Sequence, residues 1–281
     1  MDSFALKKVV LIEDGDSIIG SKEFELSLLV HGITFCYLPW SKDMTFQKEE
    51  GILYLTDKAD LATIMAIKGI PVLGCLTSRN HNAFFGGVRY LVAVEKELEP
   101  DYLERVYRRY HNLPWEILNT KRCLIRETME TDIDAFYEIY ANPSITRYMD
   151  NLFPEREDER LYITNYRKNI YEFYEYGIWT VLSRETGQVI GRAGLTMREG
   201  FTEPEIGFVI GAPWQRKGYA YEVCMAILSY GLAELGFHMV QAFTQPSNTA
   251  SLGLLHKLGF QSVGFYSIDG ITHIRLEKKA G

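Results

Sequence analysis

The sequence has few cysteines, and none of them is arranged for metal or disulfide chemistry. Cys36, Cys75, Cys123 and Cys224 are scattered, without a C-x-x-C pair and without a histidine at zinc-ligand spacing. This pattern predicts reduced, mostly buried thiols and no metal site. The chain also lacks a basic, then apolar start of the signal-peptide type, and no run reaches the ~20 apolar residues of a membrane-spanning helix. We therefore expect a cytoplasmic protein without a membrane partner.

An excess of basic residues is also missing. The chain has 30 Lys and Arg against 37 Asp and Glu, which gives a formal net charge of -7. Without a basic stripe, nucleic acid is not an expected partner. The 47% of hydrophobic and 24% of charged residues are ordinary for a globular protein. A chain of 281 residues is long enough for one large domain or two small ones, each with its own core.

Two different patterns meet near residue 118. From Lys7 to Tyr110, strand-length apolar runs alternate with helical segments, which predicts a small Rossmann-like α/β domain with a parallel sheet. Further on, hairpins are predicted around Glu185-Thr186-Gly187 and Asp269-Gly270, so the second sheet should be mixed and mostly antiparallel (α+β). The segment His111–Asn119 separates the two patterns. We place one domain over 1–118 and another over 119–281.

A basic, glycine-containing turn follows a predicted strand of the second domain. The strand is Glu205–Ile210, and the turn Gln215-Arg216-Lys217-Gly218-Tyr219-Ala220 leads into a long apolar helix. Such a turn exposes backbone N–H groups at a helix N-terminus, where a phosphate can bind. Gly218 permits close approach of the backbone, and Arg216 and Lys217 add cationic donors. Taken alone, the turn can equally be an ordinary surface turn.

The turn and its neighbours resemble the acetyl-CoA-binding core of the GNAT superfamily N-acetyltransferases. Residues 215–220 resemble the family's Q/R-x-x-G-x-G/A pyrophosphate loop. Asn248-Thr249-Ala250-Ser251 and Leu258-Gly259-Phe260 resemble its second signature. Glu205-Ile206-Gly207 and Tyr219-Ala220-Tyr221-Glu222 are similar to the RimJ/RimL-like branch. The resemblance covers about residues 120–278 and implies a GNAT fold for the second domain.

The resemblance implies an acetyl-CoA-dependent N-acetyltransferase, an acyltransferase that transfers groups other than aminoacyl groups. Its acceptor would be a primary amine of a small molecule or of a protein N-terminus. In the segment 208–210 it implies a strand bulge that points backbone N–H groups at the thioester. The implied cofactor contacts are Phe208, Val209, Ile210, Gln215, Arg216, Lys217, Gly218, Tyr219, Ala220, Asn248 and Ser251.

Glu205 is the candidate general base, acting directly or through a water, and a cross-strand pair is its alternative role. Glu222 either lines the acceptor cavity or forms a local pair. Where many family members carry a tyrosine proton donor, this chain has Leu255. Ser251 is therefore the candidate acid for the thiolate, unless the thiolate leaves without one. Asn248 and Ser251 also suit helix capping.

The first domain has a limited resemblance to haloacid-dehalogenase-like domains over Leu53–Val72. That family begins with D-x-D-G-T, whereas this chain has Glu13-Asp14-Gly15-Asp16-Ser17, with the acidic positions displaced. We therefore expect an accessory, non-catalytic domain. Two alternatives stay open for the chain: a CoA-binding sensor or interaction protein without turnover, and a phosphatase-type activity in the first domain. A homodimer is compatible with either reading.

Overall fold

The chain divides into two units, Met1–Trp115 and Glu116–Gly281. The structure is a computed structural model that describes residues 4–13, 19–42, 44–93 and 98–280. Residues 116–118, which the sequence pattern put with the first domain, form part of a strand in the second sheet. The acidic turn 14–17 lies outside the described residues. The accessory role of the first unit stays a prediction.

The first unit contains a five-stranded sheet in the order β2-β1-β3-β4-β5, with all pairs parallel. The predicted parallel sheet is confirmed. This strand order is that of the flavodoxin-like doubly wound sheets. Two separate apolar clusters pack around it, and both include residues of the interior strands β1 and β3. The strands are β1 (Lys8–Glu13), β2 (Thr34–Pro39), β3 (Ile52–Thr56), β4 (Val72–Leu76) and β5 (Tyr90–Ala93), and the helices are α1 (Lys22–Val30), α2 (Ala59–Ile67) and α3 (Pro100–Tyr110).

The second unit contains an eight-stranded sheet in the order β12-β13-β11-β10-β9-β8-β7-β6. Its pairs are antiparallel except that of β10 with β11, so the predicted mixed, mostly antiparallel sheet is confirmed. Its strands are β6 (Glu116–Asn119), β7 (Cys123–Arg126), β8 (Ile178–Ser183), β9 (Val189–Met197), β10 (Pro204–Ile210), β11 (Met239–Thr244), β12 (Gln261–Ile268) and β13 (Ile271–Lys279). Its helices are α4 (Ile133–Tyr140), α5 (Pro143–Thr146), α6 (Arg156–Tyr166), α7 (Glu172–Tyr174), α8 (Tyr219–Ser229) and α9 (Thr249–Lys257).

Helix α8 packs on the centre of this sheet because it is apolar on the side that faces β9 and β10. Val223 and Ile227 are fully buried there, in one cluster with Ile206 and Ile210 of β10. The long helix predicted from the sequence is confirmed, but its last turn, Tyr230–Glu234, is π-helical. The turn brings the chain close to β9: a Cβ on Gly231 would lie 2.6 Å from a methyl group of Leu195. Tight packing thus fixes the helix over the two strands.

Two sequence expectations concern the whole chain. Cys75, Cys123 and Cys224 are buried and Cys36 is half-buried, which confirms mostly buried cysteines, while their reduced state stays a prediction. Within the described residues, no helix has both the length and the apolar composition needed to cross a membrane.

Gly194 in β9 provides a test of how closely β9 packs against the start of β8. A Cβ at this position would lie 1.9 Å from the carbonyl oxygen of Gly177, so the backbone must shift. We expect Gly194→Ala to lower the free energy of unfolding by about 3 kcal/mol or more. Gly253, in the exposed middle of α9, has no atom within 4 Å of its Cβ position. Gly253→Ala should instead stabilise by about 1 kcal/mol. Urea unfolding measures the change in the free energy of unfolding for both variants. Equal changes in the two variants would contradict the described register of β9.

Candidate active site

Strands β10 and β11 run parallel but separate soon after they begin. They pair at Glu205 and Gln241, which is the one residue pair that they share in the described part of the chain. Each strand is fully paired on its other side, β10 with β9 and β11 with β13. The sheet therefore opens between β10 and β11 toward their carboxyl ends, at Ile210 and Thr244. This opening is the first part of the candidate site.

Backbone N–H groups of β10 point into the opening. The N–H of Gly211 donates to the oxygen of Ile190 at 2.8 Å, and the register with β9 is regular from Pro204 to Ile210. Since residues of an antiparallel strand alternate between the two sides, the N–H groups of Phe208 and Ile210 point away from β9, toward β11. The regular register shows that the bulge expected at 208–210 is wrong. Instead, β10 keeps a regular register with β9 and separates from β11, and this separation leaves the N–H groups of Phe208 and Ile210 facing the opening.

The loop after β10 has the backbone geometry of an anion-binding turn. Gly218 has φ 83° and is the residue before α8, and Arg216 has φ 58°, an uncommon value for a residue with a side chain. Left-handed residues within a turn can direct backbone N–H groups to one side, where an anion can bind. The side-chain amide of Gln215 donates to the oxygen of Ile210 at 2.8 Å and fixes the start of the loop. Arg216 and Lys217 are exposed.

Glu222 ties α8 to the start of β7. Its Oε1 accepts from the Thr120 hydroxyl at 2.7 Å and from the Arg122 N–H at 2.8 Å, and its Oε2 accepts from Arg122 Nε at 2.7 Å. Burial raises the pKa of Glu222, but the hydrogen bonds from Thr120 and Arg122 outweigh it and hold the pKa below its ordinary value. The sequence left two roles open for Glu222, lining the acceptor cavity or forming a local ion pair, and the structure shows the ion pair.

Glu205 lies on the other face of the sheet from α8. Its neighbours Ile206 and Ile210 point to α8, and side chains alternate along a strand, so Glu205 and Val209 point the opposite way. Glu205 is 8% exposed and is held by Arg198 through Nε–Oε2 at 2.6 Å and Nη2–Oε1 at 3.1 Å. The hydrogen bond to Glu205 raises the pKa of Arg198. The Glu205 side chain is thus buried and fixed in orientation.

A cavity of about 600 Å³ lies above this ion pair, lined in part by Glu205, Glu199 and Asp269. Its wall includes Phe201, whose ring packs edge to face on Phe243 at 4.9 Å between centroids. Three carboxylates around one arginine give the cavity an acidic lining that suits a cationic ligand.

The second signature forms the N-terminus of α9. Asn248 Oδ1 accepts from the Ser251 N–H at 3.2 Å, which is the capping role considered for it. Ser251 is half-buried at the start of the helix, and Leu255 is 1% exposed in the core. Leu255 therefore packs the core and cannot donate a proton.

Sequence reasoning missed Arg122, Thr120 and Arg198. Arg122 and its partner Glu222 are separated by 100 positions in the chain, and a charged pair at that separation has no local signature. The only signals in the sequence were a basic residue at the start of a predicted strand, Arg122, and an acidic residue in the first turn of a predicted helix, Glu222. No group of three or more His, Cys, Asp or Glu side chains that could hold a metal ion is present among the described residues.

The second unit is similar to known proteins. The family described as Acetyltransferase (GNAT) domain matches residues 122–261. The uncharacterized N-acetyltransferase YnaD of Bacillus subtilis (strain 168) is 32% identical over 150 residues, which are 53% of this chain and 85% of YnaD. The ribosomal protein uS5-alanine N-acetyltransferase of Escherichia coli (strain K12) is 26% identical over 55% of this chain and 82% of its own length. RimL, a ribosomal L7/L12 alpha-N-protein acetyltransferase solved with coenzyme A, aligns with a TM-score of 0.50 at 12% identity, over 58% of this chain and 97% of RimL.

The attachment of α8 to β7 predicts a pH-dependent stability. Glu222→Gln should lower the free energy of unfolding by about 1 kcal/mol at neutral pH, after allowance for partial exposure. Because the folded-state pKa is lowered, this contribution is present above the ordinary value of 4.5 and is lost as the pH falls through the folded-state pKa. Urea unfolding at several pH values measures the difference. Glu138→Gln, at an exposed helical position, is the control, and a difference that stays constant down to low pH is the contrary result.

Proposed function

The chain belongs to the GNAT acetyltransferase family and is an N-acetyltransferase, and we propose that it transfers an acetyl group from acetyl-CoA to a primary amine of a small molecule or a protein N-terminus. The observation that carries this proposal is the position of an anion-binding loop at the end of the strand whose N–H groups face the opening. Two similar proteins support it, since one is a ribosomal protein uS5-alanine N-acetyltransferase and the other, RimL, was solved with coenzyme A.

The residues of the opening fit acetyl-CoA. Residues 215–220 supply N–H groups and two cationic side chains for the pyrophosphate, with Gly218 in a backbone conformation that leaves this path open. Acetyl-CoA supplies the acetyl group as an activated thioester. In our proposal one of the N–H groups of Phe208 and Ile210 donates to the thioester oxygen, where negative charge develops during transfer, and the other donates to a second acceptor on the cofactor. Val209, Asn248 and Ser251 complete the proposed contacts.

Glu205 is the proposed general base. An alkylammonium has a reference pKa near ~10 and attacks only in its neutral form, so a proton must be removed at neutral pH. Glu205 lies at the end of β10 that still pairs with β11, on the face of the acidic cavity. It can accept the proton directly or through a water. Arg198 holds the carboxylate in a fixed orientation through two hydrogen bonds.

The proton donor to the departing thiolate is proposed to be Ser251, since Leu255 is buried in the core. The same burial favours one alternative function, a CoA-binding protein without turnover, because the usual donor is missing. The first unit is proposed to be accessory and non-catalytic. The free, mostly buried thiols support the cytoplasmic location expected from the sequence.

The cofactor site is tested by Gly218→Glu in the full chain. The new side chain brings bulk and negative charge to the place of the phosphates, so saturable binding of acetyl-CoA in calorimetry should be lost. Gly236→Glu is the matched control: Gly236 also has positive φ, 73° against 83°, and its Cβ position has no atom within 4 Å. Both variants carry the same backbone strain, of about 1 kcal/mol. Wild-type affinity in Gly218→Glu is incompatible with the assigned loop.

The general base is tested by Glu205→Gln. With an amine found in an acceptor screen that measures thiol release, turnover should fall by roughly 10²-fold. The affinity for acetyl-CoA should not change, because Glu205 is outside the loop. The defect should shrink as the pH approaches the amine's own pKa near ~10, where the solvent removes the proton. Full turnover across the pH range in Glu205→Gln assigns the base elsewhere, and saturable binding without turnover on any amine in wild type favours the sensor alternative.

A further inference from the structure

We propose that Arg122 is a further phosphate-binding residue, which donates to the pyrophosphate of acetyl-CoA while it holds the loop in its binding conformation. The inference rests on the proposed function, since it concerns the same cofactor. Arg122 precedes β7 and lies outside both sequence signatures of the cofactor site.

Two edges of the Arg122 guanidinium are already occupied. Its Nε donates to Glu222 Oε2 at 2.7 Å, and its Nη1 donates to the oxygen of Lys217 at 2.9 Å. The group also lies over the ring of Tyr219, 4.2 Å from its centroid. Lys217 and Tyr219 flank Gly218 on either side. One guanidinium therefore contacts the loop residue before Gly218, the residue after it, and the helix that follows.

The third edge of the guanidinium lies beside Gly218. A Cβ built on Gly218 would be 3.4 Å from Arg122 Nη2. An arginine has five N–H donors in a rigid fork, and the two bonds above leave the donors of Nη2 for another acceptor. The side chain is 37% exposed, so a ligand can reach it. A phosphate held by the N–H groups of the loop would lie beside this cation and could accept a charge-assisted hydrogen bond from Nη2.

The fixed position of Arg122 distinguishes it from the two loop cations. Arg216 and Lys217 are exposed, and a long exposed side chain loses conformational freedom when it is ordered on a ligand. Arg122 is already ordered by Glu222, Lys217 and Tyr219, so less freedom is lost on binding. We therefore expect Arg122 to contribute more to cofactor affinity than Arg216.

The test compares the dissociation constants for acetyl-CoA of the full-length variants by calorimetry. Arg122→Met keeps the apolar stem over Tyr219 and should weaken binding by about tenfold or more, the scale of a hydrogen bond to a charged group. Arg216→Met should lose less. Glu222→Gln keeps the guanidinium but weakens its attachment, and it should also lose less. When the salt concentration is raised from about 50 mM to about 500 mM, the dissociation constant of Arg122→Met divided by that of wild type should fall, because salt screens the attraction between the arginine charge and the phosphates.

The following outcomes would contradict the proposed role of Arg122. If wild type binds but Arg122→Met binds equally well, Arg122 does not contact the phosphates. If Arg122→Met and Glu222→Gln lose the same factor at every salt concentration, Arg122 acts only through its attachment to Glu222. If wild type itself shows no saturable binding, the proposed cofactor fails, and this inference with it. Should Arg122→Met not fold, Arg122→Lys keeps the charge without the Nη2 donors, and wild-type affinity in that variant overturns the proposed hydrogen bond from Nη2.

Discussion

The separation of β10 from β11 after one residue pair is the constraint on which the site depends. A strand in the middle of a sheet normally satisfies its N–H and C=O groups on both sides, and an unsatisfied buried group is costly. Here β10 is paired with β9 along its length, while among the described residues its other edge is paired at Glu205 alone. The polar edge left open is tolerable only because solvent or a ligand can complete it. The same divergence leaves room for the loop that ends β10 to turn toward the opening before α8 begins.

Two carboxylates of the second unit have different roles because their surroundings differ. Glu222 accepts from a hydroxyl, a backbone N–H and a guanidinium within one corner of the fold, so its charge serves to join α8 to β7. Glu205 meets one arginine and lines an acidic cavity, so its charge is available to a cationic ligand. The two residues are both paired with arginine, and only the access to the cavity separates a structural ion pair from a candidate catalytic one.

Features that depend on residues close together in the sequence could be predicted from it, and features that depend on contacts between distant residues could not. The parallel first sheet and the antiparallel hairpins followed from alternating patterns and from turns such as Asp269-Gly270, whose positive φ values of 51° and 78° suit a two-residue hairpin loop. The loop at 215–220 was visible because its residues are consecutive. The straight course of β10 depends on its register with β9, and the partnership of Arg122 with Glu222 spans 100 positions, so neither has a pattern in the sequence. The π-helical end of α8 contains Gly231, which lies close to Leu195 of β9, 36 positions away in the chain, and such a contact has no local signature.

The left-handed backbone of Arg216 has a consequence for how this protein can diverge. Residues with branched Cβ atoms are strongly disfavoured at φ 58°, whatever their charge, while glycine and asparagine accept it readily. Selection at this position therefore acts on backbone shape as well as on chemistry. A lineage that no longer needed the positive charge would drift there toward small or amide residues rather than toward hydrophobic ones. Sequence variation at residue 216 among descendants of this chain would then record the geometry of the loop even after its ligand had changed.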